Sequence, residues 1–315
     1  MRSFLDPVER HGMSHRWWIY FQERFPIFAH GPLILAFSLS AMGYSALLRG
    51  ANNLRPDAAG IAFVTALFFF LQLRIADEFK DAEEDARYRP YRPVPRGLIT
   101  LCELGWLAAG TAALQLAGSL WLQPPLVLLL IAAWGYLVLM SKEFFLRSWL
   151  KQRPLAYMLS HMLILPIFDG YATACDWLVA RVAPPAGLEW FLAASYFNGM
   201  VIEIGRKIRA PADEEEGVET YSFLWGRSAA LAAWLLVMFL SACCALQGAA
   251  LLRFVKPLSV FFACMLLSAI TLACAFVHAP RPGRGWQVEV FSGIWTIGLY
   301  LGLGIAPWIV HFARF

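Results

Sequence analysis

Charge is scarce in this 315-residue sequence: Asp, Glu, Lys and Arg make up 15% of it, where about 25% is usual for a soluble protein. Hydrophobic residues reach 59% and mean hydropathy is +0.57. A soluble domain this apolar would expose patches that aggregate, so soluble, disordered and disulfide-scaffold classes are excluded. The net charge is only +4, too small an excess to mark a nucleic-acid binder. Cysteine is sparse and unpatterned. Cys102, Cys243, Cys244, Cys264 and Cys274 lie in apolar stretches, Cys175 ends one, and no C-x-x-C occurs, so they are expected to be small buried hydrophobes. The six histidines form no H-E-x-x-H or similar spacing, which leaves zinc chemistry without support. The first 28 residues lack a clean apolar core and a small-residue cleavage site, so no cleavable signal peptide is expected.

What the sequence has in abundance is apolar stretches long enough for a bilayer, which takes about 20 residues per helix. Nine candidates run over about 29–48, 58–76, 98–120, 125–141, 154–174, 188–204, 228–247, 257–277 and 287–312. No Gly/Ser-rich linker divides them. The expectation is an all-α integral membrane protein with nine transmembrane helices, residues 29–315 forming one membrane domain. Residues 1–28 precede it as an amphipathic segment whose Trp17-Trp18-Ile19-Tyr20-Phe21, between Arg16 and Arg24, reads as interfacial. With a cytoplasmic N-terminus, inside segments carry 19 Lys/Arg and outside segments 6. That asymmetry places the N-terminus and both long acidic loops in the cytoplasm.

Those two loops carry the chemistry. At the end of the second stretch, Asp77, Asp81 and Asp85 follow a D-x-x-x-D-x-x-x-D spacing. On a helix, steps of four put all three carboxylates on one face, about 6 Å apart along the axis. Like charges aimed at one another call for a cation, and hard oxygen ligands suit Mg²⁺ bridging to phosphate. A solvated acidic cap is the plainer reading. Directly after come Arg87, Arg89, Arg92 and Arg96, interleaved with Pro90, Pro93 and Pro95. Arginines anchor topology, but they also form fork-like bonds to phosphate. The second loop opens with Glu203, Arg206, Lys207 and Arg209 and continues through Asp213, Glu214, Glu215, Glu216 and Gly217. Two such sites facing each other would hold two metal ions and one diphosphate. The glutamate run also reads as solvated loop-tip charge.

These residues resemble the UbiA-type intramembrane prenyltransferase superfamily. Its first signature, N-D-x-x-D-x-x-x-D followed by R-P-x-x-x-G, is matched by Asp77, Asp81 and Asp85 and by Arg92-Pro93-Val94-Pro95-Arg96-Gly97, with Asp77 where the family has Asn. The second signature, D-x-x-x-D, is degenerate. Counting back from Gly217 puts Asp213 on the second acid and Arg209 on the first; with a short insertion, Glu203 becomes the first acid. The resemblance implies a UbiA-like helical bundle around an apolar chamber open to lipid. It implies Mg²⁺ on Asp77, Asp81, Asp85, Glu203 and Asp213, and a polyprenyl diphosphate as donor. Arg74, Arg92, Lys142, Arg147, Arg206 and Lys207 are the candidate diphosphate ligands.

Ionisation of the allylic C–O bond would give a carbocation that a lipophilic, aromatic acceptor attacks. Metal ions and arginines stabilise the departing diphosphate, and aromatic faces suit the cation. Asp169 lies within the fifth stretch, where an unpaired charge is costly. It and Asn198 are candidates for the acceptor chamber, while Tyr157 and His161, one turn apart, read as a packed pair. Intramolecular cyclisation, a membrane terpene cyclase, needs the same ionisation site without an outside nucleophile. A cation or lipid carrier needs ionisable residues threaded through the membrane, and here Asp169 is almost alone. The expected partners are donor, acceptor and bilayer; no nucleic acid or protein partner is read.

Overall fold

A computed structural model of the chain describes residues 13–51 and 53–312, and these are helical with no strand among them. Helices stand on all nine of the apolar stretches: α2 (Ile27–Leu48), α3 (Pro56–Lys80), α5 (Leu101–Leu122), α6 (Leu126–Ser141), the pair α8 (Pro154–Met162) and α9 (Ile164–Trp177), α10 (Leu188–Gly205), α12 (Arg227–Leu251), α13 (Val255–His278), and α14 (Gly285–Gly304) with α15 (Ala306–Phe312). Short elements fill the loops at one end: α1 (Met13–Arg24), α4 (Ala82–Tyr88), α7 (Arg147–Lys151) and α11 (Tyr221–Trp225).

Local chemistry sets these bounds. Pro56 starts α3, where a missing N–H costs nothing. Thr100 and Glu103 form a reciprocal capping box on α5, and Thr220 caps α11 through the Phe223 N–H. Leu163 interrupts α8–α9, three residues before Pro166, which has no N–H to give back to the preceding turn.

Five of these helices, at Ile27–Leu48, Pro56–Lys80, Pro154–Trp177, Arg227–Leu251 and Val255–His278, are long and apolar enough to cross a membrane. The others fall short for reasons visible in the packing. α6 has 16 residues, about 24 Å of helix against a hydrocarbon core of about 30 Å. α5, α10 and α14 carry polar side chains that the bundle uses internally. Gln72 Nε2 donates to Gln115 Oε1 at 2.8 Å and to Thr111 Oγ1 at 3.0 Å. Ser195 and Tyr300 share a hydroxyl bond of 2.8 Å, and Thr296 Oγ1 donates to Asn198 Oδ1 at 3.1 Å. Buried polar groups are tolerable when bonded to one another.

At the centre, α2 packs against α3, α9, α10 and α14. Its buried face is built from small residues, among them Ala36, Ser38, Ser40, Ala41 and Gly43, which let neighbouring backbones approach closely. Between the helices sits a lattice of rings: Phe69 stacks on Phe168 with centroids 4.2 Å apart, and Phe37 meets Phe70 and Tyr300 edge-on.

Two expectations are corrected here. Of the cysteines, Cys175 is buried, but Cys102, Cys264 and Cys274 are exposed on helix surfaces; apolar sequence marks lipid-facing positions as well as core ones. The N-terminal segment, whose residues 1–12 lie outside the described part, does more than rest at an interface. Tyr20 of α1 is fully buried, and Arg24 pairs with Glu78 and Arg16 with Glu103, docking α1 onto α3 and α5.

Candidate active site

The first acidic motif spans a break in the helix. α3 ends at Lys80 and α4 begins at Ala82, with Asp81 between them at φ −98°, ψ 7°. Helical hydrogen bonds continue through the break, from the Asp81 N–H to the Asp77 carbonyl at 2.9 Å and from the Asp85 N–H to the Asp81 carbonyl at 2.8 Å. The three acids therefore keep a one-face register, yet their surroundings differ. Asp77 is partly open and has Arg74 Nη1 at 3.8 Å. Among the described residues, Asp81 pairs only with Lys80, at 4.0 Å. Burial pushes its carboxyl up; Lys80 opposes that shift, while Asp77 and Asp85 add to it. Asp85 is buried and held by Arg89 at 2.9 Å and Arg92 at 2.6 Å. The metal-ligand candidate Asp85 and the phosphate-ligand candidate Arg92 are thus partners of each other.

The turn after the arginines closes through the Arg96 N–H to the Arg92 carbonyl at 3.0 Å, and Gly97 takes φ +76° there. Only glycine adopts that region freely.

On the second motif, Glu203 is buried at the end of α10 and clamped by Arg206 and Lys207, the latter at 2.9 Å. The Glu203 carboxylate holds the Arg206 guanidinium above its ordinary range. Lys207 Nζ also lies 5.5 Å from the Tyr221 ring centroid. Asp213 takes another path. It ends a 3₁₀ turn, Pro211–Asp213, and its Oδ2 accepts from the Gly283 N–H at 2.8 Å. That bond ties the loop to the start of α14, and a cavity of about 420 Å³ lies there, lined by Arg206, Arg209, Asp213, Glu214, Trp286 and Glu289 among others. Among the described residues, no ion pair or hydrogen bond joins Asp213 to Glu203 or to the first motif. Glu214 is no solvated tip charge either: Thr220 Oγ1 and Ser222 Oγ donate to it at 2.7 and 2.9 Å.

The two loops meet. Tyr91 OH donates to Glu215 Oε2 at 3.1 Å, and Gly217, at φ +74°, lies so close to Tyr88 that a Cβ would sit 2.6 Å from its ring. Below that contact, Lys80 Nζ donates to the Tyr157 hydroxyl at 2.7 Å. Asp77 and Glu203 both lie within electrostatic reach of Tyr157, and Asp77 lies within reach of Arg206. Lys80, Tyr157, Glu78 and Tyr221 were missed as site residues. Glu78 stands beside Asp77 in the acidic run, but nothing in the sequence shows that Arg24 and Arg74 share it.

Of the other candidates, Arg147 reaches Glu84 and Glu143, each at 3.5 Å. Lys142 is exposed, following α6. Asp169 is fully buried with neither carboxyl oxygen in a hydrogen bond; Ser195 and Tyr300 lie near it. Asn198 is buried and occupied by Thr296. Tyr157 and His161 do form a packed pair, stacked with centroids 3.7 Å apart.

Among the described residues, no three of His, Cys, Asp and Glu converge on one point. Mg²⁺ is usually held by one or two carboxylates and completed by phosphate oxygens and water. The all-oxygen donors Asp77 and Asp81, the second with a carboxyl whose charge is costly unaided, fit that ion.

The sequence matches the profile of the UbiA prenyltransferase family over residues 34–295. The chain belongs to the UbiA prenyltransferase family. Solved UbiA structures share its fold. An apo UbiA homologue from Aeropyrum pernix K1 superposes with a TM-score of 0.63 at 17% identity, covering 89% of this chain and 98% of the homologue. A structure of digeranylgeranylglyceryl phosphate synthase in membranes gives 0.61 at 16% identity, covering 93% and 98%. A UbiA homologue from Archaeoglobus fulgidus bound to GPP and Mg²⁺ gives 0.54 at 11% identity, covering 91% and 99%. No curated protein matches the sequence. As a UbiA protein the chain is an integral membrane protein of a prenyltransferase family.

Proposed function

We propose that this protein catalyses Mg²⁺-dependent transfer of a prenyl group from a polyprenyl diphosphate to a lipophilic acceptor, by ionising the allylic C–O bond. The observation that carries the reading is the meeting of two acidic helix ends around Lys80 and Tyr157, with basic side chains from both motifs at their margins. In this reading all nine helical rods cross the bilayer, and the N-terminus and both acidic loops are cytoplasmic.

Asp77 and Asp81 would hold the ion on the first motif, with Glu203 the acid of the second; Asp213 closes its loop through Gly283. Mg²⁺ supplies positive charge to the departing diphosphate and makes it a better leaving group. Asp85 orients Arg92 and Arg89 until a diphosphate offers them oxygens. Arg74, Arg206, Lys207, Arg147 and Lys142 are the further candidate ligands of the diphosphate. Excluding water matters, because water would capture the cation, and aromatic rings beside the prenyl chain would stabilise it. Asp169 and Asn198 are the candidates for the acceptor side of the chamber.

The test is incubation of purified protein with Mg²⁺ and geranyl, farnesyl or geranylgeranyl diphosphate, with and without a membrane lipid extract. Mass spectrometry should find a prenylated product only with the extract. A cyclised hydrocarbon formed without extract would replace transfer by intramolecular cyclisation.

A further inference from the structure

Next to the meeting of the two acidic motifs lies a histidine that the reading so far does not use. His161, on α8, is buried, stacked on Tyr157, and packed edge-on against Phe144 at 5.8 Å. Its Nδ1 lies 2.8 Å from the Tyr157 carbonyl oxygen. A carbonyl only accepts, so Nδ1 carries the hydrogen. The neutral ring then leaves its lone pair on Nε2, because the bond made by one nitrogen sets the state of the other. That Nε2 is buried and makes no hydrogen bond. The ring stacks on Tyr157, whose hydroxyl takes the Lys80 hydrogen bond, so this bare acceptor stands beside the site.

We infer that His161 Nε2 is the general base that removes the proton from the acceptor as it is prenylated. The step balances without any further reactant. The allylic C–O bond breaks and its electron pair leaves with the diphosphate. The acceptor's O–H or aromatic C–H centre bonds to the allylic carbon, and its proton passes to Nε2, giving an imidazolium. A neutral imidazole fixed in tautomer, with its lone pair free at Nε2, takes that proton once the acceptor centre comes within hydrogen-bond reach. The inference rests on the transfer reading above, and it narrows the acceptor to one that carries a labile proton at the attacking centre.

The test follows two products in one reaction. Purified parent and His161→Gln protein receive Mg²⁺, geranylgeranyl diphosphate and a membrane lipid extract, and released diphosphate and prenylated adduct are both measured. Ionisation precedes the proton transfer, so the adduct formed per diphosphate released should fall at least tenfold, with prenyl alcohol making up the difference. A histidine that merely packs would lower both products together, and an unchanged ratio overturns the inference. His161→Ala provides a second readout: added imidazole should restore adduct formation in proportion to its concentration, and no recovery in a protein that still releases diphosphate counts against the base. If the parent itself releases diphosphate and gives no adduct, transfer is the wrong reaction, and that failure is distinct from one confined to the variants.

Discussion

Lys80 Nζ lies 2.7 Å from the Tyr157 hydroxyl, so the last residue of α3 is fastened to the first turn of α8. The bond fixes the helix that carries Asp77 against the wall carrying His161. It also gives Asp81, whose nearest cation is the same Lys80, a defined place beside Asp77. A hydrogen bond from a charged donor is worth about 1.5–3 kcal/mol. Tyr157→Phe should therefore lower kcat/KM for the prenyl diphosphate about tenfold or more, with the folded helical content retained. A drop in thermal stability at unchanged kcat/KM would make the bond structural only.

The first motif separates into unequal acids. Asp77→Asn keeps a ligating oxygen and should leave diphosphate release within a few-fold of the parent. Asp85→Ala has two costs, because it removes the partner of both Arg89 and Arg92. Breaking a buried ion pair typically costs about 3–5 kcal/mol. Its melting temperature should fall clearly, whereas Asp81→Ala should melt close to the parent. Equal melting losses in the two variants would contradict the different environments assigned to these acids.

The spacing of Asp77, Asp81 and Asp85 was legible because a helix turns four-residue steps into one face, and the structure keeps that register across the break at Asp81. The second motif was not legible. Glu203 and Asp213 both stand at sequence positions open to the role, and the choice depends on a backbone turn at Pro211 that sends Asp213 to the Gly283 N–H. Tyr157 was equally hidden: its partner Lys80 is 77 positions away in sequence, and no local pattern reports such a contact. The nine helical segments were read from apolar length alone. Which of their polar residues face each other, such as Gln72 and Gln115, only packing decides.

Glu203 and Asp213 should accordingly behave differently. Asn still offers an oxygen to the Gly283 N–H, so Asp213→Asn should leave the Mg²⁺ concentration for half-maximal activity within about twofold. Glu203→Gln removes the charge between Arg206 and Lys207 and should raise that concentration several-fold at low and high salt alike, since buried groups are poorly screened. A large shift in Asp213→Asn alone would move the second ligand to Asp213.

Besides the Tyr91–Glu215 bond, the loops touch where Gly217 packs against Tyr88. Gly217→Ala puts a Cβ into the Tyr88 ring at a φ of +74°, a conformation that costs a non-glycine residue about 1 kcal/mol or more. The loops should part, and KM for the prenyl diphosphate should rise with little change in kcat once substrate saturates. Wild-type KM in this variant would show that Tyr88 and Gly217 touch without consequence.

The most direct measurement of the central claim is diphosphate release from geranylgeranyl diphosphate by the parent and by Asp81→Ala, each with Mg²⁺ and again with excess EDTA, on samples matched for melting temperature. The account predicts release by the parent that vanishes with EDTA and returns with Mg²⁺, and a loss of at least a hundredfold in the variant even at saturating Mg²⁺. Release that survives EDTA, or that persists in Asp81→Ala within a few-fold of the parent, would contradict an ionisation site built on the first acidic motif.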